Sequence, residues 1–203
     1  MPNPVIFDTD AGADIDDLYA LALILHHPDL ELLGVTTVGP GTQFRAQLVA
    51  KMRRLADRPD IPVAAGCDVI LAANKPRPIR LTHTDIVRPE DPEHDATYPD
   101  GVEFILDALS RATQPITLIA TGPWTNIAHV IRRADDQRRA MIRSIALMGG
   151  EVHWMHAEAN VANDPEAADV VLGSGLPIFV GTWSVTRQLF FTIDEVEALA
   201  ADH

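Results

Sequence analysis

The residues best suited to chemistry form a group of aspartates near the N-terminus, in the segment FDTDAGADIDDLYA. Five aspartates fall within ten residues at an apparent strand-to-helix turn: Asp8, Asp10, Asp14, Asp16 and Asp17. Helix capping and Asx turns would explain Asp14 or Asp16, but they do not explain the whole group. Carboxylates at this density repel and raise one another's pKa unless a cation lies among them. The cluster therefore predicts a site for a hard divalent cation with oxygen ligands.

One calcium-binding motif can be tested directly against this segment. An EF-hand loop needs Gly at its sixth position and Glu at its twelfth. Counted from Asp8, those positions hold Ala13 and Tyr19, and a strand rather than a helix precedes the loop. The EF-hand is therefore excluded as the explanation of the cluster.

A phosphohydrolase of the haloacid-dehalogenase type is the alternative that stays open. Such an enzyme also begins with a strand and an Asp-x-Asp pair, which would make Asp8 the nucleophile and Asp10 the acid/base. It also needs a lysine and a late acidic pair on Mg²⁺. The only lysines are Lys51 and Lys75, and the segment 163–169, NDPEAAD, is a poor version of the late motif.

The rest of the chain alternates short apolar runs with amphipathic stretches, which is typical of a parallel sheet covered by helices. This pattern predicts a single α/β domain over residues 1–203, with a mostly parallel, Rossmann-like sheet and helices on both faces. The predicted strands are 5–8, 30–38, 61–64, 116–120, 142–148 and 178–181. The predicted helices are 16–27, 44–57, 100–113, 125–133 and 164–173, the second with Arg and Lys on its outer face. Ligands in such folds bind at the carboxyl edge of the strands.

Composition narrows the class of partner. The 16 Lys and Arg against 29 Asp and Glu give a net charge of −13, which disfavours binding to nucleic acid or to an anionic membrane surface. Cys67 is the only cysteine, so neither an internal disulfide nor a zinc-thiolate site is expected. We expect no signal peptide and no membrane span, and therefore a cytoplasmic protein. The irregular, proline-rich segment 67–101 is expected to be a functional or mobile loop.

Four blocks, in order, resemble the inosine-uridine-preferring nucleoside hydrolase family. They are VIFDTDAGADIDDLYALAL from residue 5, GVTTVGPG at 34–41, ATGPWTNIA at 120–128 and MGGEVHWMHAEANVANDPEAADVVLGSGLPI at 148–178. The resemblance runs from residue 5 to about residue 192. It implies the nucleoside hydrolase fold, a nucleoside substrate, and hydrolysis of the N-glycosidic bond to free base and ribose.

The same resemblance implies a calcium site. Asp10 and Asp17 match the family's two Ca²⁺-binding carboxylates, and Thr125 matches the residue whose main-chain carbonyl is a further ligand. Asp10 would also be the base that activates water, while Asp8 and Asp14 would orient the ligands. Family members are commonly dimers or tetramers, so a homo-oligomer is expected.

For the sugar, Asp16 resembles the carboxylate that grips ribose hydroxyls, and Glu158 and Asn160 resemble the pair that binds the sugar from the other side. Met148 would line the ribose pocket. His83, in the irregular segment, is the candidate that protonates the leaving base, ahead of His153 and His156, which are weaker candidates.

Three departures from the family pattern are visible. Gly41 stands in a Gly-Pro-Gly turn where the family has an asparagine, and Trp154 lies where a ribose-binding asparagine is expected. The family's last calcium ligand, an Asp in a C-terminal helix, has no match, so the sequence is expected to lack the C-terminal part of the family fold. This raises a further alternative: a ribose- or nucleoside-binding remnant without turnover.

Overall fold

The computed structural model describes residues 2–72, 81–88, 91, 96–98 and 100–201. Within these ranges the chain forms a seven-stranded sheet in the order β4-β3-β2-β1-β5-β6-β7. Every neighbouring pair is parallel. The strands are β1 Asn3–Thr9, β2 Leu30–Thr37, β3 Val63–Ala65, β4 Ala96–Tyr98, β5 Ile116–Ala120, β6 Ile142–Met148 and β7 Ile178–Gly181. The predicted α/β class with a parallel sheet is confirmed.

The helices are α1 Asp16–His26, α2 Thr42–Leu55, α3 Gly101–Arg111, α4 Thr125–Arg133, α5 Asp136–Ala140, α6 Ala159–Asn163, α7 Pro165–Leu172, α8 Trp183–Thr186 and α9 Ile193–Ala201. They cover both faces of the sheet. The helices α1 and α2 pack in one apolar cluster, and α3, α4 and α7 pack in another. None of the helices in the described ranges is long and apolar enough to span a bilayer.

Strand β1 contributes to both clusters because successive side chains of a strand point to opposite faces. Val5 and Phe7 lie in the cluster with α1 and α2, whereas Ile6 lies in the cluster with α3 and α4. Strand β1 pairs with β2 on one side and with β5 on the other, so the strand order reverses there. In open parallel sheets, the crevice at such a reversal is the usual ligand site.

Two expectations about local structure need correction. The helix predicted over 44–57 was expected to have its basic residues on the outer face, and this is wrong for Arg45 and Arg53, which are only 0% and 4% exposed. Both guanidinium groups bond to main-chain carbonyls inside the protein. The short strand β4 lies in the segment 67–101 that was expected to be irregular throughout.

We expect Phe7→Ala to destabilise the fold by about 3–5 kcal/mol, because Phe7 is fully buried beneath α1 and α2 and its truncation leaves a cavity. Urea unfolding of both forms measures the change. Leu23→Ala is the control, since Leu23 is 66% exposed on α1 and should change stability by less than about 0.5 kcal/mol. Equal effects at the two positions would contradict this assignment of the core.

Candidate active site

A cavity of about 720 Å³ opens at the carboxyl edge of the sheet, beside the point where the strand order reverses. Its wall is formed by the β1–α1 turn, the end of β5, the end of β6, α6 and the region of α8. Most of the residues predicted from sequence to act on metal or sugar line this one cavity: Asp10, Asp16, Asp17, Met148, Glu158 and Asn160. Positions that are far apart in the chain are therefore brought together.

Asp17 is held at the start of α1 by two hydroxyl groups, one at the end of β1 and one directly after β5. Thr9 Oγ1 donates to Asp17 Oδ1 at 2.7 Å, and Thr121 Oγ1 donates to the same oxygen at 2.5 Å. Burial raises the pKa of Asp17, while these two hydroxyl groups oppose the rise. The bonds fix one oxygen of the carboxylate in the wall of the cavity.

Asp8 lies behind the cavity wall and is 1% exposed. Thr36 Oγ1 and Asn126 Nδ2 donate to its Oδ1 at 2.5 and 2.7 Å. Its Oδ2 is buried and has no hydrogen-bond partner among the described residues. Burial raises the pKa of Asp8 from 3.8 to about 7, and the negative charge of Asp17 adds to the rise.

Asp10 also lines the cavity, and its environment disfavours the negative charge of its carboxylate. Burial, followed by the charge of Asp17, raises its pKa from 3.8 to about 8. Gly122 makes room for it, because a Cβ at that position would lie 2.8 Å from Asp10 Oδ1. The chain therefore packs closely around a carboxylate that no neighbouring cation fully neutralises.

The donor set at this edge fits a hard divalent cation. All the groups are oxygens, the orphaned Oδ2 of Asp8 lies behind them, and a cation would offset both the burial and the repulsion that raise the pKa values. The described part of the chain holds no group of three or more His, Cys, Asp or Glu side chains that could bind a metal. Asp10 and Asp17 would therefore supply two ligands, and main-chain oxygens or water would supply the others.

Thr125, the predicted carbonyl ligand, is fully buried at the first residue of α4 and does not line the cavity. Its Oγ1 donates to Asp164 Oδ2 at 2.6 Å. The same carboxylate accepts from the N–H groups of Leu71 and Ala72 at 2.8 and 3.0 Å. The side chain of Thr125 thus joins α4 to the start of α7, and the role of its carbonyl stays a prediction.

Glu158 and Asn160 are both anchored in the wall by their own hydrogen bonds. Glu158 caps α6: its Oε1 accepts from Asn160 N at 2.8 Å, and its Oε2 accepts from Gly150 N and Val161 N at 2.8 and 3.1 Å. The Nδ2 of Asn160 donates to the carbonyls of Thr121 and Met148 at 2.6 and 3.2 Å. Glu158 Oε1 and Asn160 Oδ1 keep acceptor capacity for a ligand.

The three histidines proposed for the leaving base are placed differently, and His153 is exposed and does not line the cavity. His83 lies beside Thr82, whose N–H donates to the Gly12 carbonyl at 2.8 Å, and it does not line the cavity. His156 does line it, with its ring centroid 5.2 Å from that of Trp183. The structure therefore brings His156 into the cavity and leaves His83 outside its lining.

Several residues at the site were not singled out from the sequence. Asn163 lines the cavity, and its Oδ1 is buried without a partner among the described residues. Asn126 links three segments, because it donates to Asp8 and to the Thr37 carbonyl and accepts from Cys67 N. The Gly-Pro turn that follows a buried strand, shortly before Asn126, was the available signal for this residue. Asn163 gave no comparable signal.

The fold and the cavity together define an α/β protein with a carboxylate-rich ligand site at the reversal of strand order. The chain belongs to the inosine-uridine preferring nucleoside hydrolase family, whose model matches residues 5–203.

Relatives and solved structures agree with this family. The chain is 36% identical to the pyrimidine-specific ribonucleoside hydrolase RihA of Shewanella sp. (strain MR-7), over 99% of this chain and 65% of that protein. It is 33% identical to uridine nucleosidase 1 of Arabidopsis thaliana, over 95% and 60%. A solved inosine-uridine preferring nucleoside hydrolase from Bacillus anthracis superposes with a TM-score of 0.80 at 27% identity, over 98% and 71%. The chain thus spans less than two thirds of the length of the two relatives and 71% of the Bacillus anthracis structure.

Without divalent cations, we expect the stability of the protein to fall as the pH rises from about 5 to about 8. The folded-state pKa values of Asp8 and Asp10, about 7 and about 8, lie above the ordinary value of 3.8. The folded chain therefore holds protons that the unfolded chain has lost, and this advantage disappears as the pH rises through those values. Thermal unfolding midpoints measured in the presence of a chelator, from about pH 5 to about pH 8, test this prediction.

The matched control is Asp10→Asn, which removes one of these titrations and should flatten the pH dependence. A thermal midpoint that rises with pH over the same range would contradict the assignment.

Proposed function

We propose that this chain hydrolyses the N-glycosidic bond of a ribonucleoside, giving free base and ribose, with Ca²⁺ held by Asp10 and Asp17. The observation that carries the proposal is the convergence of the family-matching acidic and amide side chains on one cavity at the carboxyl edge of the sheet. The cavity volume of about 720 Å³ is in the range that small-molecule sites occupy.

The ribose would be held by hydrogen-bond acceptors around the cavity. Asp16 is an exposed carboxylate at the start of α1, and Glu158 and Asn160 keep free acceptor capacity after their structural bonds are made. Hydroxyl groups of a sugar are donors that such oxygens accept. Met148 would give one apolar surface against the ring. The relatives' names, a ribonucleoside hydrolase and a uridine nucleosidase, support a ribonucleoside as the ligand.

The chemistry follows from the charge that develops during the reaction. Cleavage of the bond leaves positive character on the sugar ring, and nearby preorganised carboxylates stabilise it. The attacking water must lose a proton, and Asp10, which lines the cavity, is the proposed acceptor. When bound, a divalent cation supplies charge that acidifies and orients water. Ca²⁺ fits such a site because it accepts irregular oxygen shells that include carbonyls, and Thr125 is the proposed carbonyl ligand.

Further parts of the proposal concern assembly and location. We propose residues 1–203 as one nucleoside hydrolase-like α/β domain, and the continuous parallel sheet supports a single domain. A homo-oligomer, dimer or tetramer, is proposed on the family resemblance. A cytoplasmic location is proposed because Cys67 is the only cysteine, which suits a reducing compartment.

The phosphohydrolase alternative has little support at Asp8. The proposed nucleophile is 1% exposed, it accepts bonds from Thr36 and Asn126, and it does not line the cavity. A nucleophile must reach its substrate, whereas the Asp8 carboxylate is buried behind the residues that line the cavity. The other alternative, ribose or nucleoside binding without turnover, uses the same cavity and differs only in the outcome of an activity measurement.

We expect the 203-residue chain to release ribose from uridine or inosine in the presence of Ca²⁺, and Asp10→Asn to lower kcat/KM by about 100-fold or more, because it removes both a cation ligand and the proton acceptor. A reducing-sugar assay with and without chelator measures this.

The matched control is Asp60→Asn, since Asp60 is an exposed carboxylate that pairs with Arg58 and lies far from the β1–α1 turn in the sequence. Its activity should be unchanged. Ribose release that ignores both the chelator and Asp10→Asn would refute the proposal, and ligand binding by calorimetry without any turnover would favour the non-catalytic alternative.

Protonation of the leaving base gives a separate test. His83 is proposed from the sequence and His156 from its place in the cavity. We expect His156→Ala to lower kcat on inosine by about 10-fold or more and His83→Ala to have the smaller effect. Neither change should matter for 4-nitrophenyl riboside, whose leaving group departs without a proton. A larger loss for His83→Ala would assign the role to His83.

A further inference from the structure

Helix α2 carries two arginines on its buried face. Arg45, in the first turn, is 0% exposed, and Arg53, in the last turn, is 4% exposed. Removing a charged group from water is costly unless it is paired or fully hydrogen-bonded. A buried arginine therefore calls for a reason, and the two positions lie at opposite ends of the same helix.

The two buried arginines bond to different parts of the protein. Arg45 Nη1 donates to the main-chain carbonyls of Asp10 and Ala11, the latter at 3.0 Å, and its Nε donates to the Pro40 carbonyl at 3.2 Å. One side chain thus joins the turn after β1 to the turn after β2. Arg53 Nη1 donates to the carbonyl of Ile61, in the connection that leads into β3 and not at the cavity.

The hydrogen bonds of Arg45 hold the main chain of the turn that carries Asp10. The β1–α1 turn spans residues 10–15 between Thr9 and α1; Asp10 is its first residue, and Asp17 follows it in the first turn of α1. The neighbouring turn, 39–41, contains Gly39 and Gly41 with positive φ and offers no side chain to the cavity. Arg45 therefore links these two turns through hydrogen bonds to their main-chain carbonyls.

Charge adds to this link. The carboxylates of Asp10, Asp17 and Asp68 all interact with the Arg45 guanidinium. Its Nη2 is buried and has no hydrogen-bond partner among the described residues. A side chain kept in the interior at this cost, with its bonds aimed at the carbonyls of the acidic turn, has a role other than that of a general packing residue.

We propose that Arg45 is a positioning residue: by fixing the main chain at Asp10 and Ala11, it preorganises the acidic turn for the cation. This rests on the proposed function in one respect, namely that Asp10 and Asp17 bind the cation. Groups that orient ligands from behind typically change metal affinity 10–100-fold when they are removed. Arg45 touches neither substrate nor cation in this role and acts only through the turn.

The test compares Arg45→Met with Arg53→Met in the full chain, because both replace a buried guanidinium of α2 with an apolar side chain. Calorimetric titration with CaCl₂ should show binding weakened by about 10-fold or more in Arg45→Met and by less than about twofold in Arg53→Met. Arg45→Lys, which keeps one donor and the charge, should recover part of the affinity and also serves if the Met variant does not fold.

A second readout needs no cation. Amide hydrogen exchange in chelator should be faster across residues 7–14 in Arg45→Met, and unchanged there in Arg53→Met. Equal Ca²⁺ affinity with unchanged exchange would overturn the positioning role, and so would the same losses in both variants, which would indicate general destabilisation. If the unaltered chain binds no Ca²⁺, the metal part of the proposed function fails, whereas the exchange measurement still decides the role of Arg45.

Discussion

The rest of this structure depends on keeping several carboxylates close together at the end of a central strand. Burial raises the pKa of Asp8, Asp10 and Asp17, and the charge of Asp17 raises the values of the other two. A fold can tolerate such a group only if polar partners and positive charge are close at hand. In a parallel sheet, both neighbours of the central strand end at the same edge, which is where those partners can be supplied.

The sequence predicted the parts of this arrangement that depend on local pattern. The apolar runs gave the strands, and the alternation of Val5, Ile6 and Phe7 between two clusters is what a strand covered on both faces requires. The carboxyl-edge rule and the family resemblance pointed to Asp10, Asp16, Asp17 and the 148–160 block, and these residues do line one cavity. Periodicity locates elements, and topology then brings their ends together.

What the sequence did not predict depends on contacts between distant segments. Arg45 looks like an ordinary exposed helix residue, because helical periodicity does not distinguish a basic side chain on the outer face from one buried by a turn 34 positions earlier. Asn163 presents the same difficulty, whereas His156, a weaker candidate from the sequence, does line the cavity. His83 illustrates the reverse case: its position in an irregular loop suggested an active-site role, but its side chain lies outside the cavity lining.

The hydrogen-bond donors to these carboxylates also affect whether the site can bind a cation. Asp8 and Asp17 are bonded mainly by neutral donors, the hydroxyls of Thr9, Thr36 and Thr121 and the amide of Asn126. Neutral donors stabilise a carboxylate without cancelling its charge, whereas a lysine or arginine bonded to each would do both. The guanidinium of Arg45, which is buried beside the turn, bonds to main-chain carbonyls and not to the carboxylate oxygens. The carboxylate oxygens at this edge therefore stay available, which is what a divalent cation requires of its ligands.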